Sequence, residues 1–458
     1  MNIPDEIFRE YDIRGIVDTQ LTEPVAEAVG KAYGSILSEA VEGRTPRVAV
    51  GHDNRPHSPR LVDALISGLV STGVEVLDLG IVPTGVTWWA EPTLETDGAI
   101  QLTGSHNPPE WNGIKMTRLG RSLYGEGVRE LRARILAGDF VKGAGERIGH
   151  PVLDHYVEDL SGRFDLPLSR PVRVVVDCGN GTGSVVAVRL LEAIGAEVIP
   201  LYCESDGTFP NHHPDPTVDE FLEDLIQLVR SHEADLGIAF DGDADRLGAV
   251  DEKGRIIRGD VLLLLFGLDL LERKGPDQLL IFDVKCSQLL PEVYEKAGGR
   301  TLMWKTGHSL IKEKMKETGA PIAGELSGHI CFADRYLGID DALYNALRLV
   351  ELVADAEHPL SEWTAAFPAY FSTPELRIEV TEEEKVRVVA AAVEHFSRDH
   401  EVIDVDGARI LFGDGWALLR SSNTQPVIVA RFEARSPDRL AEIRTEVEGW
   451  LRQHNVNV

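Results

Sequence analysis

The chain has 458 residues, of which 43% are hydrophobic and 26% are charged, and its formal net charge is −29. This length is too great for one ordinary hydrophobic core, so we predict several domains. The acidic balance argues against nucleic acid and anionic membranes as partners, because both require a basic surface. The beginning of the chain has no basic or apolar segment, and the longest apolar run (261–268) is too short to span a bilayer. Together with four widely spaced cysteines, read as free thiols, this predicts a cytoplasmic protein.

A pattern of strand, polar loop, helix, glycine and strand recurs three times along the chain. Its copies cover residues 47–77, 173–199 and 279–304. The pattern is that of a βαβ unit, and its repetition predicts mostly parallel sheets covered by helices. Each copy has a polar loop at the carboxyl end of its first strand, where ligands bind in open α/β sheets. We therefore predict three α/β domains of similar build.

The last part of the chain has a different order of elements. Strands are predicted at 375–380, 408–411, 416–419 and 427–434, and helices at 382–399 and 437–453. Strands in hairpin order beside two helices indicate a smaller α+β domain. The predicted domains cover residues 1–148, 149–252, 253–367 and 368–458.

A polar turn follows the predicted strand at 98–102 and reads Thr-Gly-Ser-His-Asn-Pro-Pro. Gly104 relaxes the backbone and the two prolines stop a helix, so Ser105 is held on a rigid turn. Two other interpretations stay open at this point. The segment has the composition of a plain turn. A serine hydrolase is disfavoured, because the only nearby base in sequence is the adjacent His106 and there is no Gly-x-Ser-x-Gly motif.

Three aspartates alternate directly after a predicted buried strand at 234–240. In a near-extended backbone, Asp241, Asp243 and Asp245 point to one side, and three converging carboxylates repel one another unless a cation lies among them. Oxygen ligands favour Mg²⁺ or Ca²⁺ over zinc. With the serine turn, this loop indicates a serine that carries a phosphoryl group and a divalent cation that neutralises it.

A calcium EF-hand is the alternative for the aspartate loop, since Glu252 completes its ligand spacing. It is disfavoured because Arg246 stands at the required glycine and the flanking segments are predicted strands. A solvated acidic turn is also disfavoured, because the preceding strand is so apolar.

Two further loops are rich in polar groups. Residues 323–329 place a carboxylate, a hydroxyl and an imidazole between glycines and could bind sugar hydroxyls. Residues 420–426 offer a guanidinium, hydroxyls and amides that suit a phosphate dianion. Taken alone, the loop at 323–329 is at least as well explained as an ordinary loop, and the one at 420–426 is better explained as a polar hairpin connection. The glycine-rich segment at 178–183 lacks the third glycine of a dinucleotide fingerprint and is read as a strand-to-helix turn.

These motifs, in this order, resemble those of the α-D-phosphohexomutases, most closely the bacterial phosphomannomutase/phosphoglucomutase group. The resemblance covers nearly the whole chain. Its markers are Phe-Arg-Glu-Tyr-Asp-Ile-Arg-Gly at 8–15, the serine turn, Asn-Gly-Ile-Lys at 112–115, Pro-Asn-His-His-Pro-Asp-Pro at 210–216, the aspartate loop, Asp-Val-Lys at 283–285, Lys-Thr-Gly-His-Ser at 305–309, and the loops at 323–329 and 420–426.

The resemblance implies four domains around a central cleft and assigns roles to individual residues. The implied metal ligands for Mg²⁺ are Asp241, Asp243, Asp245 and a phosphoserine oxygen of Ser105. The implied catalytic residues are Ser105, Arg14, Lys115, Arg246 and His308, with Lys115 and His308 as candidates for proton transfer. The implied substrate-binding residues are Tyr11, Lys285, Glu325, Ser327, His329, Arg420, Ser422, Asn423 and Thr424.

The resemblance also implies the reaction. A phosphohexomutase interconverts hexose 6-phosphate and hexose 1-phosphate, here of mannose and/or glucose, with a hexose 1,6-bisphosphate as activator and intermediate. The expected partners are small sugar phosphates, and the expected state is a monomer or small homo-oligomer. The alternatives are a phosphoglucosamine mutase, whose loop tends to have Gln where Leu326 stands, a metal-dependent sugar phosphatase, and a non-catalytic sugar-phosphate binding protein.

Two positions depart from the family pattern. Ala244 stands where many members have glycine, which we interpret as a small change. His52 stands where an arginine commonly opens the Gly-x-Asp-x-Arg segment, of which Arg55 remains.

Overall fold

The computed structural model of the chain describes residues 3–423 and 425–456, which divide into two compact units. The first unit contains the residues up to Leu262 together with Ser327–Glu362. The second contains Leu263–Leu326 and the residues from Trp363 onward. The four domains with boundaries at 148, 252 and 367 remain a prediction.

The first sheet of the first unit is built around the first predicted βαβ unit. Its elements are β1 (Ile13–Ile16), α1 (Glu23–Ala40), β2 (Arg47–His52), α2 (Ser58–Val70), β3 (Glu75–Ile81), α3 (Thr84–Thr93), β4 (Gly98–Leu102), β5 (Trp111–Arg118), β6 (Arg121–Ser122), α4 (Glu126–Ala137) and β7 (Arg147–Gly149). A short 3₁₀ helix at Asp5–Ile7 precedes them.

The strand order in this sheet is β1-β5-β4-β2-β3-β7, and β6 pairs with β5. The strands β4, β2, β3 and β7 are parallel to one another. In contrast, β5 runs antiparallel to both β1 and β4. The sheet is therefore mixed: the βαβ repeat is parallel as predicted, and the edge next to the serine turn is antiparallel.

The second sheet of this unit repeats that plan. The segment contains α5 (Leu153–Ser161), β8 (Arg173–Asp177), α6 (Ala187–Ala193), β9 (Glu197–Leu201), α7 (Glu223–Ser231), β10 (Leu236–Phe240), β11 (Leu247–Asp251) and β12 (Ile256–Ile257), with 3₁₀ helices at Thr182–Val185 and Asp219–Leu222. The next helix, α8 (Gly259–Lys274), begins in the first unit and belongs from Leu263 onward to the second. The strand order is β12-β11-β10-β8-β9. The strands β9, β8 and β10 are parallel, whereas β11 and β12 continue the sheet antiparallel.

The following segment contributes to both units. The second unit has β13 (Leu279–Asp283) between β14 (Arg300–Trp304) and β15 (Ile322–Gly324), all parallel, with α9 (Leu289–Lys296) and α10 (His308–Thr318). The first unit has the antiparallel pair β16 (Ile330–Phe332) and β17 (Ile339–Asp340), followed by α11 (Ala342–Asp355). The short helix α12 (Leu360–Ala365) follows α11 in the chain.

The rest of the second unit is the predicted α+β fold. Its elements are β18 (Phe371–Ser372), β19 (Leu376–Glu379), α13 (Glu382–Phe396), β20 (Glu401–Ile403), β21 (Ala408–Leu411), β22 (Gly415–Ser421), β23 (Val427–Ala434) and α14 (Pro437–Gln453). The sheet is antiparallel in the order β18-β23-β22-β21-β20, and β19 also pairs with β23. Its apolar core includes Phe432 and Trp450.

The four cysteines are free thiols, as the sequence predicts, and Cys178, Cys286 and Cys331 are buried. Among the described residues, no helix combines the length and apolar character needed to cross a membrane.

One buried carboxylate ties several elements of the first unit together. Asp341 is the N-cap of α11 and accepts the backbone N–H groups of Leu343 (3.1 Å) and Tyr344 (3.3 Å). It also accepts the hydroxyl of Tyr156 on α5 (2.9 Å) and that of Tyr336 (2.5 Å). A single side chain therefore satisfies two helix N–H groups and two buried hydroxyls.

We expect Asp341→Ala to lower the free energy of unfolding by about 3 kcal/mol, because it removes a helix cap and leaves buried hydroxyls without an acceptor. Denaturant unfolding of the purified chain measures this change. The matched control is Asp154→Ala, in the first turn of α5, whose side chain is 95% exposed. It should cost less than about 0.5 kcal/mol, and equal losses for the two variants would contradict the role given to Asp341.

Candidate active site

The serine turn and the aspartate loop meet inside the first unit. Ser105 Oγ donates a hydrogen bond to Asp241 Oδ2 (3.1 Å), and both residues are buried. Gly242 lies against the serine turn so closely that a Cβ there would be 2.4 Å from the Ser105 carbonyl oxygen. Only glycine fits this approach, and the approach brings the serine hydroxyl to the carboxylates.

The serine turn holds Ser105 in an uncommon backbone conformation. Its φ is +49°, in the left-handed region that non-glycine residues rarely adopt. The Ser105 N–H donates to Thr103 Oγ1 (2.8 Å), and the Gly104 N–H donates to Asp53 Oδ2 (2.8 Å). Surrounding side chains therefore maintain a strained turn, as is frequent at functional sites.

The aspartate loop connects the antiparallel strands β10 and β11 as a compact turn. Ala244 has a φ of +53°, and its N–H donates to the Asp241 carbonyl oxygen (3.0 Å). Asp241 Oδ1 accepts the N–H groups of Asp245 and Arg246, each at 3.1 Å. The near-extended backbone expected from the sequence is therefore wrong: the carboxylates converge because the chain turns.

This geometry also changes two interpretations made from the sequence. A left-handed φ makes the alanine at position 244 a strained choice rather than a small change from glycine. The flanking elements are strands, so the EF-hand alternative is excluded, and Glu252 lies past the end of β11, where its carboxylate accepts the N–H of Ser361 (3.2 Å).

The three carboxylates form a buried cluster that fits a divalent cation. Asp241, Asp243 and Asp245 are 0% exposed and each places an oxygen within 4.8 Å of the others. Burial and the neighbouring carboxylates raise the pKa of Asp241 well above its ordinary value. Among the described residues, Asp243 Oδ1 has no hydrogen-bond partner. An all-oxygen donor set of this kind suits a hard divalent cation such as Mg²⁺ or Ca²⁺.

A lysine already places a positive charge in this cluster. Lys115 on β5 donates to Asp243 Oδ2 (2.7 Å) and Asp245 Oδ2 (2.5 Å). Burial alone would lower the pKa of Lys115, but the two carboxylates raise it above its ordinary range. The hydroxyl of Thr84 also donates to Asp243 Oδ2 (2.6 Å). In this arrangement Lys115 stays protonated, and its ammonium offsets part of the negative charge of the cluster.

Two arginines and a histidine border the cluster. Arg14 donates to Asp12 (2.7 Å), and Arg246 Nε donates to His329 Nε2 (3.0 Å). Because Nε2 accepts, the ring proton of a neutral His329 is on Nδ1, which lies 3.6 Å from Asp245 and 3.8 Å from Asp340. Asp245, His329 and Asp340 also have ligand atoms within 4.8 Å of one another, but a protonated Nδ1 does not bind a metal.

A second histidine supports the serine turn. His106 Nδ1 lies 3.0 Å from Asp215 Oδ2, and His213 Nε2 donates to the His106 carbonyl oxygen (2.5 Å). Burial and the charge of Arg246 lower the pKa of His106 to about 4 despite the carboxylate. His106 is therefore a neutral donor to Asp215, and Ser105 donates to an aspartate rather than pairing with a histidine base as a hydrolase serine would.

The second unit contains other sugar- and phosphate-binding candidates. Lys285 Nζ donates to Glu375 (3.0 Å), and Glu375, Asp283 and Glu325 raise its pKa against the effect of burial. Glu325 is buried and accepts the N–H of Gly307 (2.6 Å). Lys285 therefore lies among three carboxylates just after the carboxyl end of β13.

Arg420 is held in place at the end of β22. Its Nε donates to Asp406 Oδ2 (3.0 Å), which also accepts the N–H of Thr306 (3.0 Å). Ser422 is buried, and Lys385 donates to its carbonyl oxygen (2.6 Å). Asn423 is exposed, and Thr424 lies outside the described residues.

The remaining candidates are half-buried. Tyr11 lies just before β1, and His308 is the first residue of α10. Ser327 belongs to the first unit, next to Gly328, whose carbonyl oxygen accepts the N–H of Leu247 (3.1 Å).

Several residues of the site received no role from the sequence. Thr84 contacts Asp243 and Asp340 lies near His329, both of them predicted site residues, whereas Asp215 contacts His106, next to Ser105. Asp215 lies within a family marker, so the marker itself was the available signal. Thr84 and Asp340 belong to ordinary-looking segments that carry no local signal.

Comparison with known families accounts for most of the chain. The four models of phosphoglucomutase/phosphomannomutase match in chain order: α/β/α domains I (residues 5–142), II (154–254) and III (258–371), and the C-terminal domain (375–449). The chain belongs to the phosphoglucomutase/phosphomannomutase family. It is thereby a member of the α-D-phosphohexomutase superfamily, and the predicted family and four-domain α/β architecture are confirmed.

Individual members of the family match over nearly their whole length. The chain is 46% identical to a phosphomannomutase/phosphoglucomutase of Pseudomonas aeruginosa, over 98% of this chain and 96% of that protein. It is 41% identical to a phosphoglucomutase of Neisseria meningitidis, over 99% and 98%. A crystal structure of a family protein from Burkholderia thailandensis is 41% identical and superposes with a TM-score of 0.91, covering 100% and 99%.

The carboxylate cluster predicts a measurable cation dependence. We expect Asp243→Asn to weaken Mg²⁺ binding roughly tenfold or more, because the amide supplies a neutral oxygen in place of a charged one. Isothermal titration of the unphosphorylated chain with MgCl₂ measures this. Asp251→Asn is the matched control, since Asp251 is a buried aspartate of β11 outside the cluster. Equal Mg²⁺ affinity in both variants would contradict this assignment of the ligands.

The environment of His106 predicts a pH effect on stability. Its pKa in the folded chain is about 4, below the ordinary value of 6.5, so between these values only the unfolded chain binds the proton. The folded, unphosphorylated chain therefore loses stability as the pH falls from about 6.5 to about 4. NMR titration of the ring, assigned with His106→Asn, measures the pKa, and the variant should show a shallower loss of stability. A midpoint near 6.5 would contradict the prediction.

Proposed function

We propose that the chain is a phosphohexomutase that interconverts the 6-phosphate and the 1-phosphate of mannose and/or glucose. The reaction passes through a phosphoserine at Ser105 and a hexose 1,6-bisphosphate. The observation that supports this most directly is the 3.1 Å contact between Ser105 Oγ and Asp241 within a buried, all-oxygen cluster. Names of relatives at 41–46% identity, phosphomannomutase/phosphoglucomutase and phosphoglucomutase, support the substrate class.

The proposed cofactor is Mg²⁺, held by Asp241, Asp243, Asp245 and a phosphoserine oxygen. When bound, it neutralises negative charge on the phosphoryl group. Arg246 and Arg14 add positive charge beside the cluster. The ammonium of Lys115, which donates to Asp243, adds a further positive charge, and Lys115 is kept as the candidate for proton transfer that the family resemblance implies.

Other candidate residues are proposed to bind the rest of the substrate. Arg420, Ser422, Asn423 and Thr424 are proposed to bind the phosphate that does not react, and Glu325, Ser327 and His329 to bind sugar hydroxyls. Tyr11 and Lys285 are proposed to contact substrate, and His308 to transfer a proton. A sugar that reacts at carbon 1 and carbon 6 in turn must bind in two orientations, so a fixed anchor for the distal phosphate is required in each.

Sugar phosphates are the proposed partners, the chain is proposed to act in the cytoplasm as a monomer or small homo-oligomer, and neither nucleic acid nor membrane is a proposed partner. A hexose 1,6-bisphosphate is the proposed activator, since it phosphorylates Ser105.

We expect Ser105→Ala to abolish mutase turnover and to retain measurable binding of glucose 1-phosphate, because the hydroxyl that carries the phosphoryl group is lost while the phosphate anchor remains. Intact mass after incubation with glucose 1,6-bisphosphate should show a single added phosphate on the unsubstituted chain and none on the variant. Ser231→Ala, at the exposed end of α7, is the matched control and should behave as the unsubstituted chain.

The same preparations separate the alternatives. Full turnover by Ser105→Ala would overturn the proposal. Release of inorganic phosphate without isomerisation would favour the phosphatase. Parallel assays of the 6-phosphates of mannose, glucose and glucosamine test the sugar, and preference for glucosamine 6-phosphate would replace the proposed substrate.

A further inference from the structure

A buried arginine contacts the backbone of the serine turn. Arg55 lies just after β2 and is 1% exposed. Its two terminal nitrogens donate to four backbone carbonyl oxygens of one short segment: those of Ser105 (2.8 Å), Asn107 (2.7 Å), Pro108 (2.6 Å) and Trp111 (3.1 Å). Four carbonyl groups of the serine turn and its exit therefore point at one guanidinium.

The fifth donor of this guanidinium is also used. Arg55 Nε donates to Asp53 Oδ2 (3.2 Å), and the same oxygen accepts the N–H of Gly104 (2.8 Å). A guanidinium has five N–H donors, so all are occupied by the protein itself. Arg55 consequently has no donor available for a phosphoryl group or a sugar phosphate, and its role differs from that of Arg14 or Arg246.

The turn is built to fit this side chain. A Cβ at position 104 would lie 2.4 Å from the Arg55 guanidinium carbon, so the glycine permits the close approach. Ser105 has the left-handed φ of +49°, and its carbonyl oxygen is one of the four acceptors. The bonds to Arg55 and Asp53 hold the carbonyl and amide groups on both sides of the Ser105 side chain.

We propose that Arg55 is a positioning residue for phosphoryl transfer: it holds the backbone at 105–111 so that Ser105 Oγ points into the Asp241–Asp243–Asp245 cluster, and it does not contact the substrate. The proposal rests on the proposed mutase function. It assigns Arg55 an effect on the rate at which Ser105 gains and loses its phosphoryl group and no effect on sugar-phosphate binding.

Lysine cannot replace Arg55 in this position. An ammonium is a single point with three donors, whereas the five acceptors here are spread around a planar fork. Arg55→Lys therefore keeps the positive charge and removes the planar arrangement of donors. The substitution tests the geometry separately from the charge.

The matched control is Arg348→Lys. Arg348 is another buried arginine of the first unit, 1% exposed, and its guanidinium donates to the Asp334 carbonyl oxygen (3.4 Å) and packs over Phe332. Arg348→Lys therefore measures how much stability is lost when a buried guanidinium of this unit is replaced by an ammonium.

The experiment compares both variants with the unsubstituted chain for thermal midpoint, kcat, KM, and the rate of Ser105 phosphorylation by glucose 1,6-bisphosphate followed by intact mass. For Arg55→Lys we expect kcat and the phosphorylation rate to fall together by about 10²-fold, with KM changed less than about threefold, since misplacement of a reacting group by about 1 Å costs a factor of this size. Arg348→Lys should lower the midpoint and leave kcat within about threefold.

A kcat for Arg55→Lys within threefold of that for Arg348→Lys would overturn the proposal, and so would a rise in KM at unchanged kcat, which would indicate substrate binding. If Arg55→Lys does not fold, Asp53→Asn tests the same frame with Arg55 in place, because it removes the charged acceptor shared by Arg55 and Gly104. A roughly tenfold fall in kcat at unchanged KM is then expected, and an unchanged kcat refutes the role. Absence of Ser105 phosphorylation in the unsubstituted chain would refute the mutase function itself and not the positioning role alone.

Discussion

The mutual repulsion of three buried carboxylates is the constraint around which the first unit is organised. Two like charges about 4 Å apart repel by about 4 kcal/mol at the effective dielectric near a protein surface, and burial increases the cost. Asp241, Asp243 and Asp245 therefore require positive charge, which Lys115 supplies from the neighbouring sheet. The Ser105 hydroxyl reaches this cluster only because residue 242 has no side chain, which lets the serine turn approach the aspartate loop.

The fold was predictable where local signals agreed with the final packing. The helix predicted at 437–453 is α14 as observed, because Ser436 caps it and Pro437 begins it. In the βαβ copy predicted at 173–199, the helix is a 3₁₀ turn followed by α6 rather than one continuous helix, since Val186, with a φ of −149°, interrupts it. The antiparallel edges of the sheets were not predictable from the repeat: β5 pairs with β1 and β4 through contacts that no local pattern encodes.

The candidate site, like the fold, could be predicted only in part from the sequence. The three aspartates are neighbours in sequence, so their convergence could be predicted, although the turn that produces it could not, because it depends on a left-handed alanine. Thr84 and Lys115 meet Asp243 from distant segments, and only the folded chain shows that they share one carboxylate oxygen. The family markers identified site residues that local sequence patterns could not, because those residues come together only after folding.

The hairpin that carries the aspartates has a consequence for how this chain can vary in length. β10 and β11 pair over five residues each, from Phe240 with Leu247 to Leu236 with Asp251, and every one of these residues is buried. Slippage by one position would turn each side chain to the opposite face, so the strands cannot absorb an inserted or deleted residue. The six residues between them are therefore of fixed number, and indels in natural or engineered relatives belong in exposed turns such as the one at Leu119 and Gly120.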